Sequence, residues 1–152
     1  MNPAPLRAVV DASVAVKLFV PEALSAQAQT VFTQFASESS AELIVPDLFF
    51  IECANVFWKW VQRLSYSGKN AREHLRDLAT LGLTAIPTQL LADEALGIAL
   101  THKVTAYDAC YLAAATQLKL PLITADEKLR TKVTKGACEV IWLGDIEVVS
   151  PK

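Results

Sequence analysis

Four acids stand where this chain could do chemistry: Asp11, Glu52, Asp108 and Asp126. Asp11 ends a short apolar run, Ala8-Val-Val10, and Ala12 and Ser13 then open a helix-compatible segment. A charged residue at the carboxyl end of a buried strand lies where open α/β sheets place their ligands. Asp126 follows a second such run, Pro121-Leu-Ile-Thr124. Asp108 stands three residues after Thr105 at the start of a helical segment. Glu52 lies inside the almost wholly apolar stretch Leu48–Phe57, where an unpaired buried carboxylate is costly.

Each acid has a plainer explanation. Asp11 and Asp126 can cap the helices that follow them, and Thr105-x-x-Asp108 is a capping-box pattern. Glu52 can belong to a buried ion pair. Together they read differently. Crowded carboxylates raise one another's pKa and are tolerated when a hard divalent cation neutralises them. His74 and His102 have no Cys or His at ligand spacing, and Cys53, Cys110 and Cys138 form no Cys-x-x-Cys pair. Oxygen ligation of this kind points to Mg2+ or Mn2+ rather than zinc. The chemistry it suits is phosphodiester hydrolysis without a covalent protein intermediate.

The elements that must position these acids alternate. Strand 1 is followed by an amphipathic helix over 21–38, with Pro21 at its first position. Strand 2, Glu42–Val45, is closed by Pro46. A helix over 47–64 is apolar nearly all round, which predicts no free solvent face. Its one polar line is Glu52, Asn55 and Lys59. Gly68 reads as a break, and Ala71, Leu75 and Leu78 mark a helix ending before Gly82. Strand 3 is Leu83–Ile86; Thr88 caps a helix through Lys103, with Leu91, Ala95, Ile98 and Ala99 facing inward, and Thr105 caps one to Leu118. Strand 4 is Pro121–Thr124, a polar helix spans Asp126–Lys135, strand 5 is Glu139–Leu143, and the tail 150–152 is frayed. Alternation of this kind predicts a three-layer α/β/α fold with a five-stranded parallel sheet. The expected order is 3-2-1-4-5, with the switch point between strands 1 and 4, as one domain over 1–152.

Composition sets outer bounds. Apolar residues make up 53% of the chain, but no run reaches the roughly 18 of a membrane span. The excess apolar surface goes into a large core, a partner interface, or both. Arg7, Asp11 and Lys17 interrupt the early apolar stretch, which removes a signal-peptide core and predicts a cytoplasmic protein. A net charge of −2 gives no global nucleic-acid footprint, and clustered acids make that figure uninformative.

Val9-Val-Asp-Ala-Ser-Val-Ala-Val-Lys17, Ile51-Glu-Cys-Ala-Asn-Val56, Thr105-Ala-Tyr-Asp-Ala-Cys-Tyr-Leu-Ala-Ala114 and Leu122-Ile-Thr-Ala-Asp-Glu-Lys-Leu129 resemble, in order and spacing, the four motifs of PIN-domain proteins. Within them the chain looks most like the VapC-like toxins of toxin–antitoxin pairs. The resemblance implies that Asp11, Glu52, Asp108 and Asp126 are the metal-binding catalytic acids, with Ser13, Asn55 and Thr124 in support. It also implies a Mg2+- or Mn2+-dependent endoribonuclease, a homodimer, and a cognate antitoxin laid into a groove between early helices. Asp93 and Asp145 are further acids that read as solvated surface.

Lys128, Arg130, Lys132 and Lys135 form a basic stretch beside Asp126, a candidate for RNA phosphates or an ordinary solvated face. Trp58 and Trp60 point to different sides of one helix; one is expected on the sheet and the other at a dimer or antitoxin interface. A haloacid-dehalogenase-type phosphatase needs Asp-x-Asp, and Ser13 takes the second place. A receiver domain needs an acid after strand 3, where Ile86-Pro87-Thr88 offers none. DNA cleavage, a nuclease of RNA processing, or a PIN-like assembly module without activity stay open.

Overall fold

The computed structural model describes residues 4–133 and 138–148. Its centre is a parallel sheet in the order β3-β2-β1-β4-β5. The strands are β1 (Arg7–Val10), β2 (Glu42–Pro46), β3 (Thr84–Ile86), β4 (Leu122–Thr124) and β5 (Val140–Trp142). Val9 stands opposite Ile44 on β2 and Leu122 on β4, so β1 is the central strand. A central parallel strand is covered on both faces and must be apolar throughout; Ala8, Val9 and Val10 are fully buried. Helices cover the sheet on both faces, giving the three-layer α/β/α architecture and the strand order that the alternating pattern predicts.

The helices are α1 (Ala12–Ala15, continued by a 3-10 turn to Leu18), α2 (Ser25–Ser37), α3 (Leu48–Arg63), α4 (Gly68–Ala79), α5 (Ala92–His102), α6 (Ala106–Leu118) and α7 (Glu127–Lys132). α6 is the interior helix: Ala109 to Ala115 are buried without a break. Only a helix packed on all sides tolerates an apolar surface all round. Its run of alanines lets it sit close to β1, β2, β4 and α5.

Several boundaries differ from the sequence reading, each for a local reason. Pro21 does not begin a helix. The Ser25 hydroxyl donates to the Val20 carbonyl and accepts the Glu22 N–H, and Lys17 pairs with Glu22, so residues 20–24 form a turn and α2 starts at Ser25. Gly68 is the first residue of α4, not a break; the chain turns at Ser65 (φ 54), and Ser67 caps α4 by accepting the Asn70 N–H. Thr88 does not cap α5. It opens a 3-10 turn to Leu90 and donates its N–H to Asp47 Oδ1. Leu91 and Ala95 are buried as expected, whereas Ile98 and Ala99 are half-buried. α3 does have a solvent face, with Ile51 71% and Trp58 58% exposed, while Trp60 packs inward at 9%. Of the polar helix after Asp126, α7 ends at Lys132; Lys135 and the tail 150–152 lie outside the described residues.

Candidate active site

Strand ends and helix starts bring the acids to one edge of the sheet. β1 ends at Val10, so Asp11 leaves the sheet beside β4, its N–H donating to the Ile123 carbonyl. The side chain is held from three directions. Oδ2 accepts from Thr124 Oγ1 at 2.8 Å and from Ser13 Oγ at 3.1 Å, and Oδ1 accepts the Ser13 N–H at 3.4 Å. Ser13 Oγ also accepts the Ala125 N–H, and Thr124 Oγ1 accepts the Asp126 N–H. Two hydroxyls thus lock the turn after β1 to the turn after β4, across the topological switch point. Asp11 and Asp126 both cap helices, as the plainer reading has it: each carboxylate accepts the N–H two residues on.

Glu52 enters from α3. Its Oε1 accepts from the hydroxyl of Tyr111 on α6 at 2.7 Å. No Lys or Arg pairs with it among the described residues, so the ion-pair explanation does not hold. Asp108 stands in the first turn of α6, where the Thr105 hydroxyl accepts its N–H. Asp11, Ala12, Ser13, Glu52, Asn55, Val56, Lys59, Asp108 and Asp126 line a single cleft of about 270 Å³.

The electrostatics of this cleft are those of carboxylates taken out of water and placed near one another. Burial raises the Asp11 pKa above the usual carboxylate range; the Thr124 hydroxyl opposes the shift and the charge of Asp108 adds to it. Glu52 is pushed up to about 7, chiefly by burial, against the Tyr111 hydrogen bond and with the charges of Asp11 and Asp108 adding. Asp108 is raised by burial and by Asp126, and Lys132 offsets part of this. Burial, with Asp11 and Glu52 nearby, drives the Tyr111 hydroxyl far up, so it stays a donor.

The donor set fits a hard divalent cation in kind: oxygen only, no cation paired to Glu52, and an opening to solvent. Among the described residues no three acidic, His or Cys side chains close on one point within ligation range. Magnesium suits so open a set of donors, because it keeps several waters and takes only one or two carboxylates directly.

The basic stretch divides. Arg130 pairs with Glu127 and Asp145 and lies over the Trp142 ring at 5.2 Å, so its charge is already engaged. Lys128 and Lys132 are exposed. Asp93 is exposed in the first turn of α5, outside the cleft lining. Tyr111 is a site residue that the sequence alone does not single out. Its signal was its place three residues after Asp108, which puts it on the same side of α6.

A PIN domain family model matches residues 8–133, and the chain belongs to that family. Within it, the chain is 35% identical over 130 residues to Ribonuclease VapC3 of Pyrobaculum aerophilum, covering 84% of this chain and 95% of that protein. Two solved structures share the fold. One is a Pyrobaculum aerophilum protein (TM-score 0.64, 24% identity, 90% of this chain and 83% of that one). The other is a toxin–antitoxin complex from Klebsiella pneumoniae (TM-score 0.58, 20% identity, 90% and 97%).

Proposed function

We propose that this protein is a divalent-metal-dependent endoribonuclease, the toxin of a toxin–antitoxin pair, acting as one PIN-like unit in the cytoplasm. The observation that carries the reading is the acid cleft, in which Asp11 and Glu52 are withdrawn from water on hydroxyl donors and, among the described residues, neither forms a salt bridge. The 35% identity to a ribonuclease named VapC3 across nearly all of that protein supports the choice of RNA. Asp11, Glu52, Asp108 and Asp126 would hold Mg2+ or Mn2+. When bound, the metal lowers the pKa of water and stabilises charge on the phosphate.

The chain's own residues have separate tasks. Thr124 and Ser13 keep Asp11 in one orientation, and Tyr111 does the same for Glu52. Lys59, on the α3 face that carries Glu52 and Asn55, contacts the substrate backbone. Lys128 and Lys132, beside Asp126, bind neighbouring phosphates, whereas Arg130 fastens α7 to the segment after β5. The antitoxin fits the groove between α3 and α4, which Phe57, Trp58, Val61, Ala71 and Leu75 line, and a homodimer would cover further apolar surface.

The test is to incubate the purified protein with total RNA and Mg2+ or Mn2+, with and without a chelator. Discrete fragments that vanish with chelator are expected; intact RNA under all metal conditions overturns the assignment. A short reading frame beside the gene whose product binds the protein and stops cleavage is expected for the toxin assignment.

A further inference from the structure

A second cleft opens beside the acids and shares two of their walls. Its volume is about 570 Å³, and it is lined by Ile51, Glu52, Ala54, Asn55 and Tyr107. Glu52 and Asn55 also line the acid cleft, so the two are continuous across one turn of α3. Ile51 immediately precedes Glu52, and Tyr107 immediately precedes Asp108. On both helices the residue before a cleft acid is therefore large and apolar, and both are exposed, Ile51 at 71% and Tyr107 at 67%. Tyr107 makes no hydrogen bond to another described side chain and stacks on no described aromatic ring. Its ring is available on the rim of the site, while the other α6 tyrosine, Tyr111, is wholly committed to the core and to Glu52.

We propose that this cleft is a nucleobase subsite, in which an unpaired base next to the scissile phosphate stacks on Tyr107 against Ile51, with Asn55 hydrogen-bonding its edge. The proposal rests on the ribonuclease reading and deepens it by assigning the residues that place one unpaired base of the substrate. The chemistry is selective for such a base. A phosphate held by a divalent cation on the acids would leave its own base to be placed, and an aromatic face plus an aliphatic wall accept any base that is not already stacked. The Asn55 side chain offers both a donor and an acceptor to a base edge. A paired strand would have to surrender stacking and pairing to enter. The rival occupant of so exposed an apolar rim is a second copy of this chain, which the same experiment detects.

The test uses Asp11→Asn as a non-cleaving background and measures fluorescence anisotropy with a labelled RNA hairpin carrying an unpaired loop, and with its fully paired counterpart. The hairpin is expected to bind more tightly than the duplex. Adding Tyr107→Ala should weaken hairpin binding about 5- to 150-fold, the span that loss of one base–aromatic stack produces, and should leave duplex binding unchanged. Tyr107→Trp should restore it. Equal affinity of Tyr107→Ala for the hairpin overturns the subsite while leaving the ribonuclease reading intact. A Tyr107→Ala protein that loses hairpin binding only in step with a fall in oligomeric mass assigns the face to a second copy and also overturns it. Failure of the background protein to bind either RNA, with intact wild type also failing to cleave, removes the ribonuclease reading and the subsite with it.

Discussion

The Thr124 hydroxyl donates to Asp11 Oδ2 at 2.8 Å, joining residues 113 positions apart at the point where the sheet reverses its order. The same oxygen accepts the Asp126 N–H, so one fully buried hydroxyl sets the positions of two of the four acids. Thr124→Val keeps the shape and removes both bonds. Leaving a buried acceptor and an N–H without this partner costs about 1–3 kcal/mol. Urea unfolding should show a loss of that size and RNA cleavage should fall, while Thr124→Ser should recover most of both. A Val variant with native stability and native cleavage would remove Thr124 from this role.

Tyr111 plays the equivalent part for Glu52. Its hydroxyl favours the ionised carboxylate and opposes the upward push of burial. In Tyr111→Phe the Glu52 pKa should rise further above about 7, so the acidic limb of the cleavage–pH profile should move to higher pH. The fold loses only a hydrogen bond, about 1 kcal/mol. An unmoved pH limb in a well-folded Phe variant counts against the assignment.

Without metal, the same burial makes stability depend on pH with a definite sign. Glu52 has a folded pKa of about 7 against an ordinary value of 4.5, so between these values the folded protein holds a proton that the unfolded chain releases. Its contribution is complete below pH 4.5 and is lost as pH rises through 7. Thermal unfolding of the chelator-treated protein should show Tm falling across that window, and Glu52→Gln should flatten the slope. A Gln variant with the wild-type slope would show that other groups govern it.

The two tryptophans of α3 should separate stability from association. Trp60 is 9% exposed and packs tilted against Phe57 and edge-on to Tyr66, whereas Trp58 is 58% exposed on the wall of the α3–α4 groove. Trp60→Ala should cost about 3–5 kcal/mol. Trp58→Ala should change unfolding by less than about 0.5 kcal/mol and should weaken binding of the antitoxin. Comparable destabilisation by both changes would contradict this division.

Much of the site was legible because its signals are local. A short apolar run that stops at a carboxylate marks both a buried strand and its exit, as Ala8 to Asp11 shows in four residues. Right-handed crossovers build strands 1 to 3 outward in one direction, and the order 3-2-1-4-5 follows when strand 4 returns to the other side of strand 1. Glu52 stands out because it is a carboxylate inside the almost wholly apolar stretch Leu48–Phe57. What stayed hidden depends on how distant elements meet. Tyr111 reads as core and is core; that its hydroxyl reaches α3 follows only from the packing of α6 between sheet and helices. Arg130 reads as a free base until β5 brings Asp145 alongside it. That α3 exposes Ile51 and Trp58, rather than burying its whole surface, is not legible because apolar character does not distinguish a core from an unpartnered surface. The turn at Ser25 and the cap at Ser67 rest on single hydroxyls, which periodicity does not register.

The central claim is that carboxylates in one cleft perform metal-dependent cleavage of RNA. Its most direct test compares wild type, Asp11→Asn and Asp108→Asn on one defined RNA with Mn2+, each shown folded by circular dichroism. The account predicts cleavage by wild type that a chelator abolishes, and a loss of at least about 100-fold in both variants, which corresponds to roughly 2.7 kcal/mol of transition-state stabilisation. Cleavage by both folded variants at the wild-type rate, or wild-type cleavage that persists in chelator, would contradict it.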